Sequence, residues 1–138
     1  METPFHLSLP CINLVETKLF YIDQIGAELG RFSNNWIDIN LFGHQVTFTQ
    51  VGKFNFTNPN YTFEGNLLSS FHFGIILDKD SWDKMYSKLS EKNFELTMQA
   101  TFLRNKPGEH VSFFVKDPNS YMLEFKNFKE GSDIFQNI

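Results

Sequence analysis

Polar and apolar residues alternate at the start of the chain and then change to a helical spacing. Residues 5–10 alternate in character and end at a proline, which predicts a strand closed by a turn. Asn13 follows as a candidate N-cap, and apolar residues recur after it at helical spacing as far as about Leu29. We therefore expect a strand and then a helix over residues 13–29 that lies on a sheet.

The next part of the pattern predicts a hairpin and a long connection. Residues 36–42 and 44–51 have the β-branched and aromatic content of two strands, and Gly43 separates them. Residues 52–66 are polar and rich in Asn, Thr, Pro and Gly, which indicates a long loop. This loop stands near the middle of the chain, where a linker between two halves is expected.

The second half of the chain repeats the order of the first. Residues 70–77 form an apolar run typical of a buried strand, and residues 78–93 have one apolar stripe at helical spacing. Three further strands are predicted between turn-forming sequences, over residues 94–103, 109–116 and 121–128. We infer an α+β fold with a duplicated βαβββ unit, at about residues 4–52 and 68–128, in a single domain.

Composition and charge narrow the classes of function. The chain has 138 residues, the size of one domain, and its 17 Phe predict an aromatic core and aromatic pocket walls. A net charge of -4 without a run of Lys or Arg argues against nucleic-acid and membrane partners. The single Cys11 and the lack of a secretory pattern or of an apolar run of about 18 residues predict a cytoplasmic protein.

Two histidines and one glutamate form a candidate metal site. His6 and His72 stand in the first strand of each predicted unit, so the duplication gives them corresponding positions. If Leu123 and Phe125 face the helix, strand alternation turns Glu124 to the opposite face. Two imidazoles and a carboxylate with open positions suit Fe, Mn, Ni, Co or Zn, and a divalent ion would compensate the charge of a buried glutamate. The pattern predicts a divalent metal site.

At these residues the sequence resembles the vicinal oxygen chelate superfamily, which includes glyoxalase I, bleomycin-resistance proteins, fosfomycin-resistance enzymes and type I extradiol dioxygenases. The resemblance covers nearly the whole chain. Its most similar segments are residues 4–8, 38–45, 71–75, 114–118 and 123–126. It implies two βαβββ units that form an incomplete barrel around one divalent metal, often in a homodimer. The metal ligands that it implies are His6, His72 and Glu124.

The sequence departs from particular members of that superfamily. Glyoxalase I has a fourth ligand, a glutamate in the last strand of its first unit, and residues 44–51 contain no carboxylate. The turn at residues 117–120 carries Asn119 and Ser120 where the family usually has Asp and Gly. Basic residues around the last strands are few, and they do not resemble the cationic clamp of the fosfomycin-resistance enzymes. The missing carboxylate argues against glyoxalase I activity and the missing clamp against fosfomycin-resistance activity, whereas the different turn is expected to have little effect on function.

Several other polar residues are candidates for the site. His44 and His110 each begin a predicted strand and could act as acid or base, and His44 could also be an alternative metal ligand. A backbone-bonded role for His44 and an exposed position for His110 are the commoner alternatives. Arg104 could bind an anionic group of the substrate or cap a turn. Lys126 shares the predicted face of Glu124 but could extend to solvent.

Three hypotheses of function follow. The leading one is a metal-dependent enzyme in which the ion binds adjacent oxygens of a small-molecule substrate and acts as a Lewis acid, with dioxygenase chemistry if the ion is iron. The second is a metal-free protein that binds a small molecule, as the bleomycin-sequestering members do. The third is a purely structural dimer module, which leaves the three polar residues without a role unless they hydrogen-bond each other.

Overall fold

The computed structural model describes residues 3–92 and 96–137, with the side chains of residues 96–98 excepted. It forms two compact units. The first consists of Met1–Phe56 with Asp117–Ser120, and the second of Thr57–Lys116 with Tyr121–Ile138.

The first unit is one helix and a four-stranded sheet. Its elements are β1 (His6–Cys11), α1 (Leu14–Lys18), which continues with wider turns over Leu19–Ile25, β2 (Glu28–Phe32), β3 (Trp36–Leu41) and β4 (His44–Gln50). The strand order is β1-β4-β3-β2, with β1 parallel to β4 and the other pairs antiparallel. The unit is therefore a complete βαβββ unit.

The helix of the first unit begins where the sequence predicts and ends earlier. The Asn13 side chain accepts a hydrogen bond from the backbone N–H of Glu16 at 2.9 Å, which confirms the N-cap. The helical turns end at Ile25, because Gly26 takes a left-handed conformation with φ 90°. The predicted end at Leu29 was wrong, since Leu29 lies in β2 and pairs with Ile39 of β3.

The second unit begins with a hairpin and then repeats the first. Its elements are β5 (Asn60–Phe63), β6 (Asn66–Ser69), β7 (His72–Ile76), α2 (Lys79–Glu91), β8 (Leu96–Phe102), β9 (His110–Lys116), β10 (Met122–Phe128) and a short 3-10 turn (Gly131–Asp133). Its large sheet has the order β7-β10-β9-β8, and β7 is parallel to β10. The predicted α+β class with two βαβββ units is confirmed.

The hairpin β5–β6 corrects the prediction that residues 52–66 are only a loop. Its two-residue turn is made by Glu64 and Gly65, both with positive φ, at 48° and 78°. The Glu64 carboxylate also accepts a hydrogen bond from the backbone N–H of Leu103 at 2.7 Å. Every residue of β5 is exposed, but its sequence Asn-Tyr-Thr-Phe alternates polar and aromatic residues, a strand pattern that the polar composition of residues 52–66 outweighed in the prediction.

Helix α2 packs on one face of the second sheet, the face on which Phe113 and Phe125 lie. Asp78 caps the helix, as its acidic start predicts, by accepting from the backbone N–H of Ser81 at 2.8 Å. The indole Nε1 of Trp82 donates to the carbonyl oxygen of Phe125 at 2.8 Å, and the Trp82 ring packs against Phe113. Among the described helices, none is long and apolar enough to cross a bilayer.

Candidate functional site

The structure brings His72 and Glu124 together within the second unit. They lie on the adjacent parallel strands β7 and β10, where Glu124 stands opposite Gly74. Nε2 of His72 lies 3.3 Å from Oε1 of Glu124, and Glu124 is only 6% exposed. Leu123 and Phe125 on either side of Glu124 are fully buried, as the strand alternation predicts.

The remaining polar atoms of this pair are fixed by neighbouring strands. The hydroxyl of Ser112 on β9 donates to Oε2 of Glu124 at 2.7 Å. Nδ1 of His72 lies 2.8 Å from the carbonyl oxygen of Ser69, which can only accept, so Nδ1 carries a proton. A second proton on Nε2, or a metal ion in its place, makes the approach of that nitrogen to Glu124 favourable. The donor set therefore fits two ligands of a divalent ion.

Both groups have pKa values shifted toward their charged forms. The hydrogen bond with Glu124 is the main reason that the pKa of His72 is raised, and the Ser69 carbonyl adds to it against the effect of burial. Burial acts to raise the pKa of Glu124, but hydrogen bonds from His72 and Ser112 and the charge of Lys126 outweigh it and lower that pKa. Nζ of Lys126 lies 3.9 Å from Oε1 of Glu124. Glu124 is consequently an ionised carboxylate at neutral pH.

A cavity of about 150 Å³ opens at this pair. Its walls combine aromatic and aliphatic side chains from the hairpin and the sheet with four polar residues. The lining residues are Tyr61, Phe63, Leu68, His72, Phe102, His110, Glu124 and Lys126. The hairpin residues Tyr61 and Phe63 were absent from the sequence-predicted site, because their segment was assigned to a loop.

His110 lies in the same cavity as His72 and Glu124. Its ring is partly buried between Phe102 and Phe128, with ring centroids 5.4 and 4.9 Å away. Its Nδ1 lies 2.8 Å from the carbonyl oxygen of Gly108. The alternative that His110 is simply exposed is therefore wrong, and a role as an acid or base stays a prediction. Arg104 lies exposed in the turn after β8.

The other predicted histidines lie in the first unit. His6 is the exposed first residue of β1, and the prediction that it is the third ligand remains a prediction. Nδ1 of His44 accepts a hydrogen bond from the backbone N–H of Phe5 at 2.9 Å. This is the backbone-bonded role expected from the sequence as the alternative to a role in the site. Within the described part of either unit, no three His, Cys, Asp or Glu side chains come close enough to share a metal ion.

Comparisons with known structures agree with this architecture. A glyoxalase/bleomycin resistance protein/dioxygenase from Alicyclobacillus acidocaldarius is 25% identical, with 96% of each chain covered and a TM-score of 0.80. A lactoylglutathione lyase from Agrobacterium tumefaciens is 11% identical, with 92% of this chain and 94% of that chain covered and a TM-score of 0.66. A fosfomycin resistance protein from Listeria monocytogenes is 13% identical, with 92% and 93% covered and a TM-score of 0.64.

The chain thus has the fold of the glyoxalase/bleomycin resistance/dioxygenase proteins, and its resemblance to the vicinal oxygen chelate superfamily is confirmed. No protein-family model matches the sequence, and no curated protein matches it significantly.

Proposed function

We propose that the chain is a metal-dependent enzyme that binds a divalent ion through His6, His72 and Glu124. Its substrate is a small molecule that offers adjacent oxygens to the ion. The observation that supports this proposal is the approach of Nε2 of His72 to Oε1 of Glu124, at 3.3 Å, in an aromatic cavity. Two ligand types that divalent metals prefer thus meet at a place where a small molecule can enter.

The residues around the pair have distinct parts in this proposal. The bound ion would supply Lewis-acid chemistry, or oxygenase chemistry if it is iron. Ser69 and Ser112 orient the two ligands through the outer hydrogen bonds that tune metal affinity. His110 lines the cavity and can move a proton to or from the substrate. The aromatic hairpin residues limit the access of water and shape the pocket.

Metal content of protein purified without chelator tests the proposal. We expect about one iron, manganese, nickel, cobalt or zinc ion per parent chain and none in the double variant His72→Ala, Glu124→Ala. The control Glu91→Ala removes an exposed carboxylate at the end of α2 and should keep the metal. The single variant His6→Ala should bind the ion more weakly if His6 is the third ligand. Negligible metal in the parent, before and after reconstitution, would refute the enzyme proposal.

A metal-free binding protein is the second candidate. It is favoured by Lys126, whose Nζ lies 3.9 Å from Oε1 of Glu124 and gives that carboxylate a cation without any metal. In this case the parent would bind no metal but would still bind small aromatic compounds in the cavity. Binding that is unaffected by chelator and lost in Phe63→Ala would select this candidate.

We also propose a homodimer, since the superfamily resemblance implies one, and light scattering after gel filtration measures it. The cytoplasmic location stays a prediction from the sequence.

A further inference from the structure

The first unit contains a cavity of about 540 Å³, and His6, the proposed third metal ligand, is among the residues that line it. A carboxylate lies buried in its wall: Asp38 of β3 is 3% exposed, and its neighbours Ile37 and Ile39 are buried on the opposite face of the sheet. The residues that line the cavity include Phe5, Arg31, Asp38, Ile39, His44 and Gln45.

The oxygens of Asp38 are already occupied by neighbouring side chains. Oδ1 accepts from the hydroxyl of Thr47 at 2.7 Å. Oδ2 accepts from Nε of Arg31 at 2.7 Å and from the side-chain amide of Gln45 at 3.2 Å. Three donors leave Asp38 little capacity for a ligand. Its role in the cavity is therefore to hold the groups around it.

Arg31 is the group that Asp38 holds most closely. A change of register in β2 between Leu29 and Phe32 turns the Arg31 side chain toward Asp38. Gly30 allows this close approach, because a Cβ at that position would lie 3.2 Å from Cβ of Asp38. The guanidinium carbon also lies 5.5 Å from the centre of the Trp36 ring. An arginine whose side chain is 75% exposed is thus fixed on two sides.

The fixed arginine presents unused donors. Its Nε–H bonds to Asp38, and its two Nη groups have no hydrogen-bond partner in the part of the chain that the structure describes. The free end of a guanidinium group is a planar pair of donors that matches the two oxygens of a carboxylate or phosphate. The orientation of Arg31 is therefore that of a prepared oxyanion receptor.

The neighbouring residues suit an anion with an apolar body. Nδ1 of His44 accepts from the backbone of Phe5, so the neutral ring carries its proton on Nε2 and can donate it. Pro4 and Phe5 supply apolar wall. Asp38 is the one acidic residue among those that line the cavity, and Arg31 balances its charge.

We propose that this cavity binds a small organic anion, with a carboxylate or phosphate head on the Nη groups of Arg31 and an apolar body against Pro4 and Phe5. Arg31 binds the anion without a metal, so anion binding in the presence of chelator is measured independently of the proposed metal site, although His6 lines the same cavity. Asp38 is a positioning residue in it, because it acts on the ligand only through Arg31.

Titration of the ¹⁵N-labelled full chain, as purified, with benzoate, phenyl phosphate and the neutral benzamide tests this site. We expect at least one anion to shift the Nε–Hε signal of Arg31 and the side-chain amide signals of Gln45. That anion should bind at least about tenfold more tightly than benzamide, because charge-assisted hydrogen bonds distinguish them. The anion that binds more tightly identifies the head group.

Variants separate this site from other causes of binding. Arg31→Gln should weaken binding of the anion by about tenfold or more, whereas Lys18→Gln, which removes an exposed positive charge from α1, should not. Equal binding of benzamide, or anion binding that survives Arg31→Gln, would overturn the proposal. Binding to a metal ion would also survive that change and would disappear with chelator. If Arg31→Gln does not fold, the parent chain still tests the proposal. Anion titration that shifts other NMR signals but not those of Arg31 and Gln45 would overturn it.

Discussion

Nε2 of His72 and Oε1 of Glu124 lie 3.3 Å apart. Their strands, β7 and β10, are the first and last of the second large sheet in chain order but are neighbours within it. Their approach depends on the parallel pairing of β7 and β10, in which Gly74 stands opposite Glu124. The pair is therefore sensitive to changes in the backbone between these strands as well as to loss of either side chain.

Gly74→Ala tests the dependence on strand pairing. A Cβ at this position would overlap the backbone oxygen of Glu124, so the strands would have to separate. We expect the variant to lose about 1–3 kcal/mol of unfolding free energy in urea, the usual effect of overpacking, and to bind divalent metal more weakly. Gly131→Ala is the control, because a Cβ there meets nothing within 4 Å. Equal stability of the two variants would contradict the described register.

Ser112→Ala tests the orientation of the metal ligand. Ser112 is fully buried, and its hydroxyl donates to Oε2 of Glu124 at 2.7 Å. Without this bond the carboxylate can rotate, so we expect about tenfold weaker binding of zinc or nickel in calorimetric titration. We also expect a loss of about 1 kcal/mol of stability. The control is Ser87→Ala on the exposed face of α2, and metal affinity that is the same in both variants would argue against the ligand role of Glu124.

Lys126→Met tests whether a divalent ion binds beside Glu124. The ammonium group lies 3.9 Å from Oε1 of Glu124 and would repel a cation bound there. If a divalent ion binds at Glu124, we expect its affinity to rise by about threefold to tenfold, a modest gain because Lys126 is partly exposed. Lys129→Met removes a charge that is paired with Glu109 instead and should change the affinity little. A fall in affinity in Lys126→Met would mean that the ammonium does not compete with the metal.

The acid stability of the first unit should depend on Asp38. Burial acts to raise the pKa of Asp38, but hydrogen bonds from Thr47 and Arg31 and the charge of Arg31 outweigh it, so the pKa lies below its usual value. A carboxyl group with a lowered pKa in the folded state stabilises the fold above its unfolded pKa of about 4. That contribution is lost as the pH falls through the folded pKa.

Urea unfolding of Asp38→Asn between about pH 2 and pH 6 measures this contribution. We expect the variant to be less stable than the parent at pH 6 and to depend less steeply on pH. The control Asp23→Asn changes an exposed carboxylate of the same unit and should keep the slope of the parent. Equal slopes in the parent and Asp38→Asn would show that Asp38 does not contribute to acid unfolding.

The parts of the site that the sequence predicts are those with a strong local pattern. Leu123 and Phe125 are apolar on both sides of Glu124, and strand alternation then places the glutamate on the opposite face. Strand alternation also places His72 on the face opposite its apolar neighbours in β7, and its ring contacts the carboxylate of Glu124. The order of strands and helices was predictable for the same reason, since each buried strand or helix face has its own apolar period.

The parts that the sequence did not predict depend on exposed strands and on irregular backbone. All residues of β2 are exposed, and Leu29 continues the apolar period of the helix, so the end of the helix at Gly26 was missed. The hairpin β5–β6 was missed because residues 52–66 were assigned to a loop on their polar composition, although the residues of β5 alternate in the sequence. The contact of Arg31 with Asp38 requires the register change in β2, and no hydrophobic period indicates such a change.

The position of β7 at the edge of its sheet has a consequence for biosynthesis. β7 pairs with β10 alone among the strands of that sheet, and β10 is the last of them to leave the ribosome. Until then the nascent chain carries His72 without its carboxylate and exposes an unpaired strand edge, which is prone to association with other chains. Pairing of β10 therefore covers one edge of β7 and brings Glu124 to His72 in the same event.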